Sequence, residues 1–198
     1  MFSGIIEASR NVCDVVVKSQ AVLVYLERPD FFQDLKVGDS IACNGVCLTI
    51  DQLNPDQLCF VLAYETLKTL KINPENLKNQ SWNLERSLRF GDRVHGHLVT
   101  GHVEAIGQIV KNEAYGDSWF LDISVPPELL KCIWKKGSLC LHGVSLTVND
   151  IQSSVISFCL IPETVRRTNL SHYQVGEFLN LETDYLAKAY LQSRSYEI

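Results

Sequence analysis

Asn44-Gly45-Val46-Cys47-Leu48-Thr49-Ile50 returns 98 residues later as His142-Gly143-Val144-Ser145-Leu146-Thr147-Val148, and this recurrence decides how the chain is read. Working outward at a shift of 97 to 98 positions, four more blocks follow in order. Ser3-Gly4-Ile5-Ile6-Glu7 meets Thr100-Gly101-His102-Val103-Glu104, and Pro29 meets Pro127. Glu65-Thr66-Leu67 meets Glu163-Thr164-Val165, and Asn83-Leu84-Glu85 meets Asn180-Leu181-Glu182. Hydrophobic alternation alone makes strands look alike, but it does not specify matched Gly, Asn, Thr and Glu. The chain is an internal duplication.

Each copy reads as short strands rich in β-branched and aromatic residues and separated by Gly, Asn, Pro and Asp. In the first copy they are Val15–Val17, Ala21–Tyr25, Ser40–Cys43, Cys47–Ile50 and Leu58–Leu62. A small closed or nearly closed barrel buries such strands and leaves no edge. Asp30–Leu35 and Pro127–Leu130 stand at matched places, each opening on a helix-favouring residue, so one helical turn per barrel is predicted. Arg86–Val94 reads as the linker. From Asp184, a good N-cap, Leu186, Ala189 and Tyr190 recur at helical spacing with no counterpart in the first half. That tail helix either packs on its own domain or mediates self-association. The divisions are 1–94, 95–183 and a tail over 184–198.

Composition narrows the function. The chain has 198 residues, 46% apolar and 21% charged, with a net charge of −5 and no basic run. Those are the values of an ordinary folded protein, and they argue against a nucleic-acid partner. No apolar run is long enough to span a bilayer, and Met1–Glu7 lacks the features of a signal peptide, so a cytoplasmic protein is expected. Seven cysteines, most among aliphatic neighbours as in Phe158-Cys159-Leu160, fit buried reduced thiols better than disulfides.

The usual nucleotide and hydrolase motifs are missing: neither the dinucleotide-binding glycine pattern, nor the phosphate loop, nor a Gly-x-Ser-x-Gly elbow occurs. His95-Gly96-His97 with His102 invites a metal reading, but Cys43 and Cys47 have no second pair at zinc spacing, and no metal is expected. What remains is the repeated polar set. A single Thr is more often spent on its own turn. Thr49, Thr66, Thr147 and Thr164, kept together in both copies, read as a site for a planar heterocycle whose edges need backbone and hydroxyl hydrogen bonds. Ile5 stands opposite His102 and Cys47 opposite Ser145, so an imidazole and a hydroxyl are added in the second copy. Such groups move protons near neutral pH.

These motifs, with Met1-Phe2-Ser3-Gly4 at the start, Asn83-Leu84-Glu85-Arg86, Gly96-His97-Leu98-Val99-Thr100-Gly101-His102 and Ile161-Pro162-Glu163-Thr164, resemble those of the riboflavin synthases of the alpha-subunit type. The resemblance covers nearly the whole chain. It implies an all-β fold of two tandem six-stranded Greek-key barrels plus a C-terminal α-helix that builds a homotrimer, with the active site between the N-terminal barrel of one subunit and the C-terminal barrel of a neighbour. It implies a transferase that moves a four-carbon unit between two molecules of 6,7-dimethyl-8-ribityllumazine, giving riboflavin and 5-amino-6-(D-ribitylamino)uracil. A dismutation of this kind needs no cofactor, in keeping with the missing dinucleotide motif. Association with lumazine synthase is left open. The rival is a non-catalytic lumazine- or flavin-binding protein of the same family, for which one good half would suffice.

Carried across by the resemblance, the N-terminal ligand site is Gly4, Ile5, Ile6, Cys47, Leu48, Thr49, Val61, Leu62, Ala63, Tyr64, Glu65 and Thr66. The C-terminal one is Gly101, His102, Val103, Lys136, Ser145, Leu146, Thr147, Ile161, Pro162, Glu163, Thr164, Val165 and Arg166. His102 is expected to assist proton transfer, Ser145 and Thr147 to orient the ring or a nucleophile, and Cys47 to act on the partner molecule. Glu65 and Glu163 are expected to accept from ribityl hydroxyls, His97 to support its loop, and Phe2 to pack on the pocket. Two departures, His95 where Gly is common and His142 where an acid is common, touch none of these roles.

Overall fold

The computed structural model describes residues 1–116 and 118–194. The first barrel is built from β1 (Ala8–Val17), β2 (Ala21–Glu27), β3 (Ser40–Cys43), β4 (Val46–Leu53), β5 (Gln57–Ala63) and β6 (Ser81–Arg86), with helix α1 (Tyr64–Thr69) between the last two. Its strands close in the order β1-β2-β5-β4-β3-β6. The second contains β7 (Ala105–Tyr115), β8 (Ser118–Ser124), β9 (Ser138–Leu141), β10 (Val144–Thr147), β11 (Asp150–Gln152), β12 (Val155–Leu160), helix α2 (Pro162–Arg167) and β13 (Phe178–Thr183). Helix α3 (Tyr185–Arg194) ends the described chain.

The second sheet runs β10-β9-β13-β7-β8-β12-β11. Its two end strands, β10 and β11, are the halves of what is one strand, β4, in the first copy. Rejoining them gives the six-stranded closed order of the first barrel. The break has a cause visible in both copies. β4 carries an irregularity between Ile50 and Gln52, and the second copy parts at the matching place, after Thr147 and before Asp150. A bulge bends its strand and disrupts the ladder locally.

Alternation along the strands fills each lumen. In β4 and β10, Leu48 and Leu146 face inward while Cys47, Thr49, Ser145 and Thr147 face out. The same period explains Cys159. Phe158 and Leu160 point into the core, so Cys159 is exposed, against the expectation of a buried thiol. All seven cysteines are free.

Two further expectations are corrected. The helical turn is found at Pro127–Cys132, as a 3-10 helix, whereas residues 30–35 form only turns. There Arg28 bonds the Phe32 carbonyl with Nε at 3.1 Å and Nη2 at 2.7 Å, which holds the segment in an irregular loop. Arg86 is the last residue of β6 rather than linker, paired with Glu7 and Asp34. The tail helix forms as read and is capped by Asp184 Oδ1, which accepts from the Leu186 N–H at 2.8 Å. Residues 195–198 of the expected tail lie outside the described residues.

The barrels meet about a local pseudo-twofold axis. Phe2 and Val99, each the other's repeat equivalent, form an antiparallel bridge with N···O distances of 2.7 and 3.1 Å. Phe2, Val99, Ala42 and Cys140 make a small buried cluster of their own. Around it the backbones match: Asn44 and His142 both take left-handed φ, at 45° and 46°. Asn44 Oδ1 accepts from the Asn83 N–H at 2.8 Å, and His142 Nδ1 does the same for the Asn180 N–H at 2.7 Å. A ring nitrogen has replaced an amide oxygen as acceptor. Burial lowers the His142 pKa to about 3, so the ring is neutral with its proton on Nε2, which lies 2.9 Å from the Tyr173 hydroxyl.

Candidate functional site

The segment before each barrel crosses to the other one. Glu85, buried at the end of β6, accepts from the Ser3 N–H and Oγ and the Gly4 N–H at 2.7, 2.8 and 2.9 Å. Glu182 repeats this for Thr100 and Gly101 at 2.6, 2.6 and 2.9 Å. Burial pushes the Glu85 carboxyl up, and the bonds from Ser3 and Gly4 oppose that. Pinned in this way, the first loop runs on to the second barrel, where the Ser145 N–H donates to the Gly4 carbonyl at 2.7 Å. The second loop runs to the first barrel, where the Cys47 N–H donates to the Gly101 carbonyl at 2.9 Å. A Cβ on Gly101 would stand 2.6 Å from that of Cys47, and Gly101 has φ +81°, so only glycine fits this crossing.

The half-sites are therefore regrouped relative to the sequence expectation. Gly101, His102 and Val103 face Val46, Glu65 and Thr66 across a shallow hollow of about 220 Å³ on the first barrel. Gly4 sits on Ser145 of the second barrel, and Ile6 is buried in the second barrel's core. Ile5 is exposed and borders a groove with Arg93 and His95. Sequence alignment pairs equivalent residues but says nothing about which barrel a loop covers. The short approach of Gly4 to Ser145 carries that information, and no local pattern encodes it.

The remaining expected residues divide by orientation. Leu48, Leu62 and Leu146 are buried in the cores. Thr49 and Thr147 are exposed beside Cys47 and Ser145 on the outer face. Val61 and Ala63 are exposed on β5, and Tyr64, Glu65 and Thr66 belong to α1 rather than to a strand end. Likewise Ile161 precedes α2, which contains Pro162, Glu163, Thr164, Val165 and Arg166. Pro162, Val165 and Arg166 line a separate hollow beside Trp119. Glu163 is paired with Arg166 and Arg167 on its own helix, and those guanidinium groups hold its carboxyl below the usual range. Lys136 lies in the turn before β9 with φ 68°, its Nζ 3.3 Å from Asn149 Oδ1.

His97 has a more specific place than loop support. Its Nδ1 lies 2.7 Å from Ser145 Oγ, its N–H donates to the Ser3 carbonyl at 3.1 Å, and Nε2 is buried without a partner among the described residues. Burial lowers its pKa, opposed by Asp184 and Glu182. A neutral imidazole against a hydroxyl can take or relay its proton. The residue was visible in the sequence, but its pairing with a serine 48 positions away was not. His102, by contrast, is exposed on the opposite half-site, where its N–H donates to Thr100 Oγ1 at 3.2 Å. Cys43 and Cys140 are fully buried thiols whose pKa values burial pushes well up, which removes them from nucleophilic chemistry.

Fold and geometry together define a duplicated small-barrel protein in which a loop from each barrel crosses onto a strand of the other. The chain belongs to the lumazine-binding domain family: the family model described as "Lumazine binding domain" matches residues 3–87 and again 100–184. It is 34% identical over 189 residues to the riboflavin synthase of Actinobacillus pleuropneumoniae, covering 95% of this chain and 87% of that one. It is 32% identical over 188 residues to the riboflavin synthase of Bacillus subtilis (strain 168), with coverage of 95% and 87%. Among solved structures, LumP complexed with riboflavin matches with a TM-score of 0.84 at 21% identity, over 92% of this chain and 99% of that one. LumP complexed with 6,7-dimethyl-8-(1'-D-ribityl) lumazine matches with a TM-score of 0.81 at 19% identity, over the same shares.

Proposed function

We propose that this protein is a riboflavin synthase that converts two molecules of 6,7-dimethyl-8-ribityllumazine into riboflavin and 5-amino-6-(D-ribitylamino)uracil. The observation that carries the reading is that both halves keep a loop-covered half-site with its own polar set, as a reaction between two like molecules requires. One lumazine gives up four carbons and leaves as the diamine. The other gains them as a new benzenoid ring, so atoms and electrons balance within the pair.

The two halves are equipped differently. The first offers Cys47, Thr49, Glu65, Thr66 and the crossing loop with His102. The second offers Ser145 backed by His97, with Thr147, Thr164 and the crossing loop with Ile5. The C7 methyl of a lumazine is acidic because its anion delocalises into the ring, so a neutral imidazole is a sufficient base. In this reading His102 takes that proton from the molecule on the first half, while the His97–Ser145 pair activates or orients the molecule on the second. Cys47 works on the first molecule beside His102, not on a separate partner.

With the likeness to the riboflavin synthases, the reading extends to a reaction between the first half of one subunit and the second half of a neighbour in a homotrimer in the cytoplasm. Helix α3 supports assembly: it has no buried residue, and Tyr185, Leu186 and Tyr190 are 47, 60 and 60% exposed. The divisions at 1–94, 95–183 and 184–198 are kept, with residues 3–6 and 100–103 each serving the other barrel.

The test is anaerobic incubation with 6,7-dimethyl-8-ribityllumazine alone, followed by chromatography. One riboflavin formed per two lumazines consumed is expected. Tight binding without product would replace the reading with a ligand carrier.

A further inference from the structure

The pseudo-twofold symmetry is broken at one seam between the barrels, and the break leaves a cavity. On one side Asn169, 1% exposed, closes the seam. Its N–H donates to Asn83 Oδ1 at 2.9 Å, and its Nδ2 donates to Asn44 Oδ1 at 3.0 Å and to the Ser81 carbonyl at 2.7 Å. At the 98-residue shift that pairs Glu65 with Glu163, Lys71 stands opposite Asn169. Lys71 does not enter its seam. It is exposed with φ 51°, its N–H turns back to the Lys68 carbonyl at 3.2 Å, and its Nζ stands 5.7 Å above the Phe178 ring. Where Asn169 would have an equivalent, a cavity of about 270 Å³ remains.

Its lining has two characters. Leu62, Leu77 and Trp82 form an apolar floor, and Asn180 and His142 form part of a polar wall. Asn180 is 7% exposed and spends its N–H on His142 Nδ1 and its Nδ2 on the Asn44 carbonyl. Among the described residues no donor reaches its Oδ1, although the matching Asn83 Oδ1 is satisfied by Asn169. The substitution of His142 for Asn44 bears on this. An amide oxygen has two lone pairs and accepts from both Asn83 and Asn169. A neutral Nδ1 has one, already taken by Asn180, so an asparagine plug would lose a partner here.

We propose that this seam binds a small planar molecule bearing a carboxamide or lactam N–H, with the N–H on Asn180 Oδ1 and the ring on the Leu62–Leu77–Trp82 floor. The ligand supplies the donor that Asn169 supplies on the sealed side. The cavity volume suits one or two fused rings, near the lower end for small-molecule pockets. This cavity and the His102 hollow share Val46 and Leu70 as lining residues. This inference does not depend on the proposed activity.

The test is a titration of the isotopically labelled full chain with benzamide, followed by amide resonances. Saturable shifts are expected at Asn180, Lys71 and Phe178, while Gly4 and Gly101 stay still. Methyl benzoate, which keeps the ring and lacks the N–H, is expected to bind about tenfold more weakly, the loss of one hydrogen bond. Gln80→Trp, at an exposed residue of the mouth, is expected to abolish the shifts. Absence of saturable shifts, equal binding of the two probes, or shifts unchanged in Gln80→Trp would each overturn the assignment.

Discussion

Phe2 pairs with Val99, its own repeat equivalent, and the two backbones exchange hydrogen bonds of 2.7 and 3.1 Å at the pseudo-twofold axis. Each crossing loop departs from this bridge, Ser3-Gly4 from one side and Thr100-Gly101 from the other. The bridge therefore positions both half-sites together. Phe2→Ala is expected to cost about 3–5 kcal/mol, because the ring is fully buried and leaves a cavity. It should weaken ligand binding at both half-sites, which denaturant unfolding and a two-site lumazine titration would show. Loss confined to one site would break the link between the bridge and the two loops.

The His97–Ser145 pair separates two proton-handling roles that the sequence assigned together. Ser145→Ala and His97→Gln each remove the same contact, so their effects on turnover are expected to be similar, about 10²–10⁴-fold, and far from additive in the double variant. His102→Gln acts on the other half and is expected to multiply with either. Single-turnover rates with ligand affinity measured separately would check this. Normal turnover in His102→Gln with normal binding would remove His102 from the mechanism.

Stability should fall with pH through His142. Its folded pKa, lowered by burial to about 3, lies below the unfolded value of about 6.5. Between those values the unfolded chain binds the extra proton, so stability is full above pH 6.5 and is lost on acidification, at up to about 1.4 kcal/mol per pH unit. The lowered pKa of His97 acts in the same direction. His142→Asn restores the acceptor used at Asn44, which has nearly the same φ, and should flatten the profile by the His142 share. Denaturant midpoints from pH 7 to pH 5 measure it, and equal slopes in both proteins would refute the assignment.

The fold was legible because a duplication shows itself at every scale: matched Gly-Val-x-Leu-Thr strands, matched Asn-Leu-Glu strands and a tail without a partner. The site was legible in membership more than in grouping. Glu65, Thr66 and His102 do share a hollow, Cys47 does meet Gly101 and Ser145 does meet Gly4, but the crossing exchanges the loops between barrels. That exchange is a tertiary relation fixed by Glu85, Glu182 and the Phe2–Val99 bridge, with no periodicity to betray it. Helices α1 and α2 were missed for a local reason: each is six residues long, α1 follows β5 directly and α2 follows β12 after the single residue Ile161, so strand pattern ran into helix.

Lys136 illustrates a residue whose type and conformation disagree. The turn before β9 repeats that before β3: the Gly38 N–H donates to the Ile50 carbonyl and the Lys136 N–H to the Val148 carbonyl, both at 2.9 Å. Gly38 takes φ 93° at no steric cost, whereas Lys136 takes φ 68° with a side chain. A left-handed non-glycine residue is strained by roughly 1–2 kcal/mol, and its own bond from Nζ to Asn149 at 3.3 Å is too exposed and long to offset much of it. Lys136→Gly is therefore expected to raise stability by about 1 kcal/mol, read as a higher denaturant midpoint at unchanged slope. If the lysine also serves the ligand on the second half, the same variant binds lumazine more weakly while folding more stably. Higher stability with unchanged binding would leave Lys136 outside the site.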